Sequence, residues 1–332
     1  MTPPGIKFMT MFHMSNDSGL FRTREQLESE GYTLQSNVFE RRGRRYVPLY
    51  QAMMTSNLDH RNADVVQSAT AKQRPQQPRY LTDVEHRDPY RQAQPFYWID
   101  GTELPDQLGT WLMGYGDITA ATNERTVTPV AIPVAGVANA LPLLSTQVGA
   151  SLDCCLLATL QSFVLDYCAR QKFGRTSLNF FFVRQFPVCP PLRFSQPTEW
   201  QPLVRLDDWV TDRVNELVFT AWDMQPFAAE IGDDNAPFVW NEGRRGAIRA
   251  ELDAAFFHLY RVERDDVEYV LDAFSIVRRK DVAKYGEYRT ARLILEAYDA
   301  MSDAVATGMP YQTVLDPPPG EGPRHPDRER VA

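Results

Sequence analysis

Apolar positions follow two regimes along the chain, and the change comes at the double proline Pro190-Pro191. Before it, apolar residues come in short extended runs broken by Pro and Gly, such as Thr126-Val-Thr-Pro-Val-Ala-Ile-Pro-Val134 and Ser177-Leu-Asn-Phe-Phe-Phe-Val183. Helices lie between them, which predicts a mixed α/β domain with irregular loops over residues 1–190. After it the period is helical. Asn241 caps a predicted helix whose Ile248, Leu252, Ala255, Phe256 and Leu259 share one face. Asp265 or Asp266 starts another with Val267, Val270 and Leu271 inside, and a third carries Leu293, Ile294, Ala297, Tyr298, Met301 and Val305 before stopping at Gly308. The class is therefore α+β, with a small α-helical bundle over residues 191–315. Ala69–Arg79 is polar, Pro-rich and basic and reads as a flexible loop, and Asp316–Ala332 reads as a disordered tail.

The segment from Leu157 to Pro191 joins the two regimes. An apolar helix carrying Ser162 and Asp166 runs into a basic turn with Gly174, then into an aromatic strand stopped by prolines. Between Arg170 and Arg184 stand Arg170, Lys172, Arg175 and Arg184 with no acid, in a chain of net charge -8. Charge divides unevenly: residues 1–200 carry net +1 and residues 201–332 net -9. A local reversal of sign suggests a polyanion partner for the first part and argues against DNA contact by the second. Arg41, Arg42, Arg44 and Arg45 surround Gly43, with Val38 and Phe39 before them and Tyr46 and Val47 after. That pattern suits the tip of a β-hairpin, either simply solvated or serving as a phosphate clamp.

The Leu157–Pro191 segment resembles the end of a target recognition domain in restriction-modification DNA methyltransferases. Gln161-Ser162, Gly174, Leu178-Asn179 and Phe186-Pro187-Val188-Cys189-Pro190-Pro191 stand where that pattern has a helix with Asn-Ser, a Gly turn, Leu-Asn and a strand ending in prolines. A wider similarity runs through Phe12–Phe21, Pro48–Tyr50, Leu58-Asp-His-Arg61, Ala121–Thr126, Glu251–Tyr260 and Ile276–Lys280. It is to the C-terminal half of large adenine-specific methyltransferases, the type IIG-like enzymes and their relatives in the BREX and DISARM phage-defence systems. Met1-Thr-Pro-Pro-Gly-Ile-Lys-Phe8 enters that pattern in its middle, as though an upstream domain preceded it. The resemblance implies a double-stranded DNA partner and a catalytic domain or subunit elsewhere that carries S-adenosylmethionine.

Catalytic motifs are not found in the chain itself. Gly114-Tyr-Gly116 follows Trp111-Leu-Met and lacks the third glycine of a methyl-donor loop, and Asp316-Pro-Pro-Pro319 has proline where a base-stacking ring must stand. Gly5, Thr70, Arg170, Arg278 and Val282 stand two residues before the five lysines, so the acid-x-Lys core of a common metal-dependent nuclease is missing. Cys154, Cys155, Cys168 and Cys189 lack C-x-x-C spacing and read as buried thiols of a cytoplasmic protein. His13, His60, His86, His258 and His325 are dispersed, and helical spacing is expected to put most of Glu251, Asp253, Asp265, Asp266 and Glu268 on solvated faces and caps rather than around a metal. Phe96, Tyr97, Trp98, Trp111 and Tyr115 read as core packing more readily than as a wedge beside an extruded base.

The expected DNA-binding residues are thus Arg41, Arg42, Arg44, Arg45, Asn123, Arg125, Arg170, Lys172, Arg175, Asn179 and Arg184. Cations bind phosphates, and Asn or Arg reads base edges. Asn123-Glu124-Arg125 also reads as an internal turn with Glu124 pairing Arg125, and Asn179 as a structural residue at a strand end. A protein-interaction module of a defence complex, with incidental DNA contact, is the alternative function; an unrecognised free-standing enzyme is a third. The chain alone is expected neither to bind S-adenosylmethionine nor to methylate DNA. Calorimetric binding of the methyl donor at micromolar affinity, or transfer of labelled methyl by this chain, would refute that expectation.

Overall fold

The computed structural model describes residues 5–68, 70, 75–172, 174 and 176–327. Its strands are β1 (Lys7–Met9), β2 (Thr33–Gln35), β3 (Val38–Arg41), β4 (Arg44–Tyr50), β5 (Ala63–Gln67), β6 (Gln76–Tyr80), β7 (Trp98–Asp100), β8 (Trp111–Tyr115), β9 (Pro129–Pro133), β10 (Gly136–Val137) and β11 (Leu143–Ser145). The helices are α1 (Arg24–Ser29), α2 (Asp83–His86), α3 (Ala150–Gln161), α4 (Phe163–Lys172), α5 (Phe180–Val183), α6 (Pro191–Phe194), α7 (Leu206–Val218), α8 (Gln225–Glu230), α9 (Glu242–Leu259), α10 (Arg264–Asp272), α11 (Ser275–Tyr285) and α12 (Arg289–Thr307). The fold is α+β with a helical C-terminal region. One antiparallel sheet has the order β1-β11-β8-β9. A second runs β10-β4-β3-β2 with β7 also on β4, and β5 and β6 form a separate hairpin.

Two expected elements differ. The aromatic run at Ser177–Val183 forms no strand beyond a single bridge from Ser177 to Ile118. Asn179 instead accepts a hydrogen bond from the Phe181 N–H and caps α5. Helical spacing then turns Val183 and Phe186 inward, while Phe181 stays exposed. The apolar helix also breaks at Ser162, which is extended at ψ 146°, so that α3 and α4 meet at 59°. The break is held from a distance: the Asp253 carboxylate on α9 accepts the Phe163 N–H at 2.8 Å. No single helix among the described residues is long and apolar enough to cross a membrane.

The core does not stop at Pro190-Pro191. One cluster gathers Leu157, Leu160 and Phe163 with Trp209, Val214, Phe256 and Ile294, and α3 packs along α7. Nor is the C-terminal segment loose where it is described. Arg244 donates to the Pro317 and Pro318 carbonyls, the Gly320 N–H donates to Glu216, and Arg324 pairs with Asp233 over the Phe238 ring. The expectation of disorder overlooked that backbone carbonyls with little apolar weight can be held by partly buried guanidinium groups. Residues 328–332 lie outside the described residues. The Pro-rich segment differs where it is described, because Gln76–Tyr80 pairs with β5 and Arg79 bonds to Asp64 and Glu85; residues 69 and 71–74 lie outside the described residues.

Leu58-Asp-His-Arg61 forms the polar joint between the two regions. Arg61 is fully buried and donates to the carbonyls of Asp88 (2.7 Å), Arg91 (3.0 Å), His86 (2.6 Å) and Thr220 (2.7 Å). His60 bonds to Asp223 at 3.0 Å, and His86 bonds to Asp59 at 3.2 Å while stacking on Trp240. Arg245 also lies over the Trp240 ring and donates to the Leu217 and Leu58 carbonyls. Burial pulls the Arg245 guanidinium down to about 9. Removing the Arg61 head would leave the carbonyls of Arg91, His86 and Thr220 without this donor, and a buried acceptor costs about 1–3 kcal/mol when unsatisfied. Arg61→Met is therefore expected to lower unfolding stability by about 3 kcal/mol or more in urea titrations. A loss below about 1 kcal/mol would show that the joint does not hold the halves together.

Candidate nucleic-acid interface

The arginine cluster builds the hairpin that its flanks require. β3 and β4 pair Phe39 with Tyr46, Glu40 with Arg45 and Arg41 with Arg44. Arg42 (φ 48°) and Gly43 (φ 81°) turn the chain in the left-handed region, which is the conformation of a two-residue hairpin loop. All five residues of the tip are exposed. Arg44 bonds to the buried Asp100 at 2.6 Å, and Arg45 to Glu40 at 2.9 Å at the surface. Among the described residues, Arg41 and Arg42 have no carboxylate in ion-pair reach, and Arg41 lies over the Tyr32 ring.

The basic run after α4 behaves differently. Asp166 is fully buried, and its carboxylate takes Arg125 Nε at 2.7 Å, Arg170 Nε at 3.1 Å and the Thr126 N–H at 3.0 Å. Arg125 stacks on Phe163 and also donates to the Gln161 carbonyl. Arg170 stacks on Phe274 and donates to the Asn123 and Glu124 carbonyls. Neither guanidinium is offered to a phosphate. Both neutralise a buried acid, a role that the i,i+4 spacing of Asp166 and Arg170 signals in the sequence.

The remaining expected residues scatter. Asn123 sits in a turn, its side chain donating to Thr119, so the internal-turn reading holds in part; Glu124 pairs with Lys280 of α11 rather than with Arg125. Asn179 is the cap of α5, a structural role at a helix start rather than a strand end. Lys172 is exposed, Arg184 is exposed beside the Phe8 ring, and Arg175 lies outside the described residues. Trp98, Trp111 and Tyr115 are core residues. The glycines of Gly114-Tyr-Gly116 serve packing, since a Cβ at Gly116 would lie 2.7 Å from Thr128 Oγ1. Among the described residues, no three His, Cys, Asp or Glu side chains stand close enough to hold a metal ion.

What the pattern did not reveal is a cleft. Asn123, Glu124 and Arg125 form one lip, and α9, α11 and α12 form the far wall of a space of about 730 Å³. Asp253 lies at its base, and burial, opposed by the Arg125 charge and the Phe163 N–H bond, pushes its carboxyl up to about 7. No family model, curated protein or solved structure matches the chain.

Asp253 makes stability depend on pH in a definite direction. Below about pH 4 the carboxyl is protonated in both the folded and the unfolded chain. Between about pH 4 and about 7 only the folded chain keeps the proton, so stability falls as pH rises through that window and levels off above it. The slope from this group is at most about 1.4 kcal/mol per pH unit. Asp253→Asn keeps an acceptor for the Phe163 N–H and is expected to remove this component. Urea titrations of both proteins between pH 5 and 8 that gave parallel stability curves would contradict the assignment.

Proposed function

We propose that the chain is the DNA sequence-recognition portion of an N6-adenine DNA methyltransferase of a restriction-modification or phage-defence system, acting in the cytoplasm. Methyl transfer then belongs to a catalytic domain or subunit that binds S-adenosylmethionine. The observation that carries this reading is the β3–β4 hairpin, which projects four arginines around a two-residue turn, two of them without a carboxylate partner among the described residues. Exposed pairs such as Arg45–Glu40 are screened by salt and exchange readily for a phosphate oxygen. Seated on a duplex, the tip would release counterions and fix the register of the protein, while other groups read the bases. The acidic helical region need not oppose this, because its field decays within about 8–10 Å at physiological salt. The hairpin takes over the role that the sequence pattern suggested for Arg125 and Arg170.

A second reading rests on the exposed Tyr269, Val282 and Val305, which leave apolar surface on α10, α11 and α12. That surface fits docking of the catalytic subunit or of another defence component. It complements the DNA role unless DNA binding proves absent.

The double substitution Arg41→Glu, Arg42→Glu leaves every described ion pair intact. It is expected to reduce duplex affinity at least tenfold, and Arg42→Ala alone to lower the slope of log affinity against log salt by about one unit. Electrophoretic or anisotropy titrations at several salt concentrations measure both. Duplex affinity unchanged by the double substitution, or lost only on removing Arg278, Arg279 and Lys280, would move the interface off the hairpin.

A further inference from the structure

The cleft beside Asn123 holds a side chain that the fold leaves unfinished. Gln161, the last residue of α3, has no exposed surface, and neither its amide Nε2 nor its Oε1 has a hydrogen-bond partner. The neighbouring Asn57 presents a buried Oδ1 without a partner, and both residues line the cleft. A buried amide is retained at a cost of about 1–3 kcal/mol per unmade bond, so a partner that supplies an acceptor beside a donor recovers that cost. Nucleobase edges present that pair in one plane at the spacing of an amide.

The cationic side of the cleft points the same way. Arg249 is paired with Glu242 and Lys280 with Glu124. Arg289, at the start of α12, is half-buried and has no carboxylate partner among the described residues; its one polar contact is the Gly243 carbonyl at 3.4 Å. Its guanidinium lies against the bare backbone of α9, where a Cβ on Gly246 would come within 3.0 Å of Nη1. Glu124, Glu242, Asp253 and Asp281 line the cleft with Arg125, Arg249, Lys280 and Arg289, and among the described residues Arg289 is the one of these cations without a carboxylate partner, a guanidinium that suits a phosphate. Tyr80 is exposed and lines the same cleft, offering a ring face to a planar ligand, while the Tyr285 ring lies under the Arg289 guanidinium at 5.0 Å. A volume of about 730 Å³ accommodates one nucleotide.

We propose that this cleft binds a single nucleotide, with the Gln161 amide on the base edge and Arg289 on the phosphate. The source of that nucleotide, one swung out of a bound duplex, rests on the DNA-recognition reading above; a free nucleotide would satisfy the same chemistry.

The test uses the full chain, the four deoxynucleoside monophosphates in calorimetry, and duplexes carrying 2-aminopurine at successive positions. At least one monophosphate should bind, and Gln161→Leu should weaken it about tenfold while leaving stability unchanged or raised, because it removes a buried unpartnered amide. Arg289→Ala should weaken the nucleotide but not the matching nucleoside. Arg41→Glu, Arg42→Glu should leave monophosphate binding untouched. In a bound duplex, 2-aminopurine at one position should brighten as it unstacks. If no monophosphate binds and no position brightens in a duplex that is bound, the cleft proposal falls and the DNA reading stands. Equal monophosphate affinity in wild type, Gln161→Leu and Arg289→Ala likewise overturns it. If monophosphates bind with these variant effects but duplexes do not bind at all, the DNA reading falls and the cleft remains a site for a free nucleotide.

Discussion

Burying the Arg61 guanidinium without a carboxylate of its own constrains the rest of this fold. A cation in the interior needs a counter-charge or carbonyl dipoles around it, and here carbonyls of Asp88, Arg91 and His86 on one side and Thr220 on the other hold its two Nη atoms. Satisfying it forces the loop after α2 and the turn after α7 to converge on one point. Arg245 repeats the device, joining Leu58 to Leu217 over Trp240. Hydrophobic contact alone would let the sheets slide over the helices; directional bonds to fixed carbonyls do not. The two regions that the sequence pattern separates are thereby one packed body along this seam.

The same economy governs charge. A net charge of -8 coexists with 35 basic side chains, and the question for function is which of those remain available. Arg125 and Arg170 are committed to Asp166, Arg213 to Glu251 and Arg244 to Glu216. Desolvated pairs of this kind do not exchange for a phosphate, since breaking one leaves a buried charge uncompensated. Availability belongs to the exposed cations, above all those at the β3–β4 tip. Local charge density along the chain is thus a poor guide to an interface unless burial is known.

Elements whose determinants lie close in sequence were legible. The hairpin announces itself by a turn between β-forming flanks, α9 by its Asn241 cap, and the end of α12 by Gly308, which takes the left-handed conformation at φ 73°. Features set by distant partners were not. Ser162 can cap a new helix, and its Oγ accepts the Leu165 N–H, but the acceptor that completes the break lies ninety residues on, at Asp253. The aromatic run at Phe180–Phe182 has strand propensity, overridden by one cap and by burial of Val183 and Phe186. The cleft is a meeting of six stretches remote in sequence, and only the i,i+4 pair Asp166–Arg170 hinted that the basic run turns inward.

The carboxylate cap on α4 also bears on how the chain is made. A polypeptide emerges from the ribosome N-terminus first, and α4 is released long before Asp253 exists to receive the Phe163 N–H. Until then α3 and α4 can run on as one apolar rod, with Leu157, Leu160 and Val164 turned outward rather than against α7 and α9. Truncation near Pro190 would freeze the chain in that nascent state. Such a fragment should need a chaperone, and the order of synthesis makes the last third of the protein the folding template for the middle third.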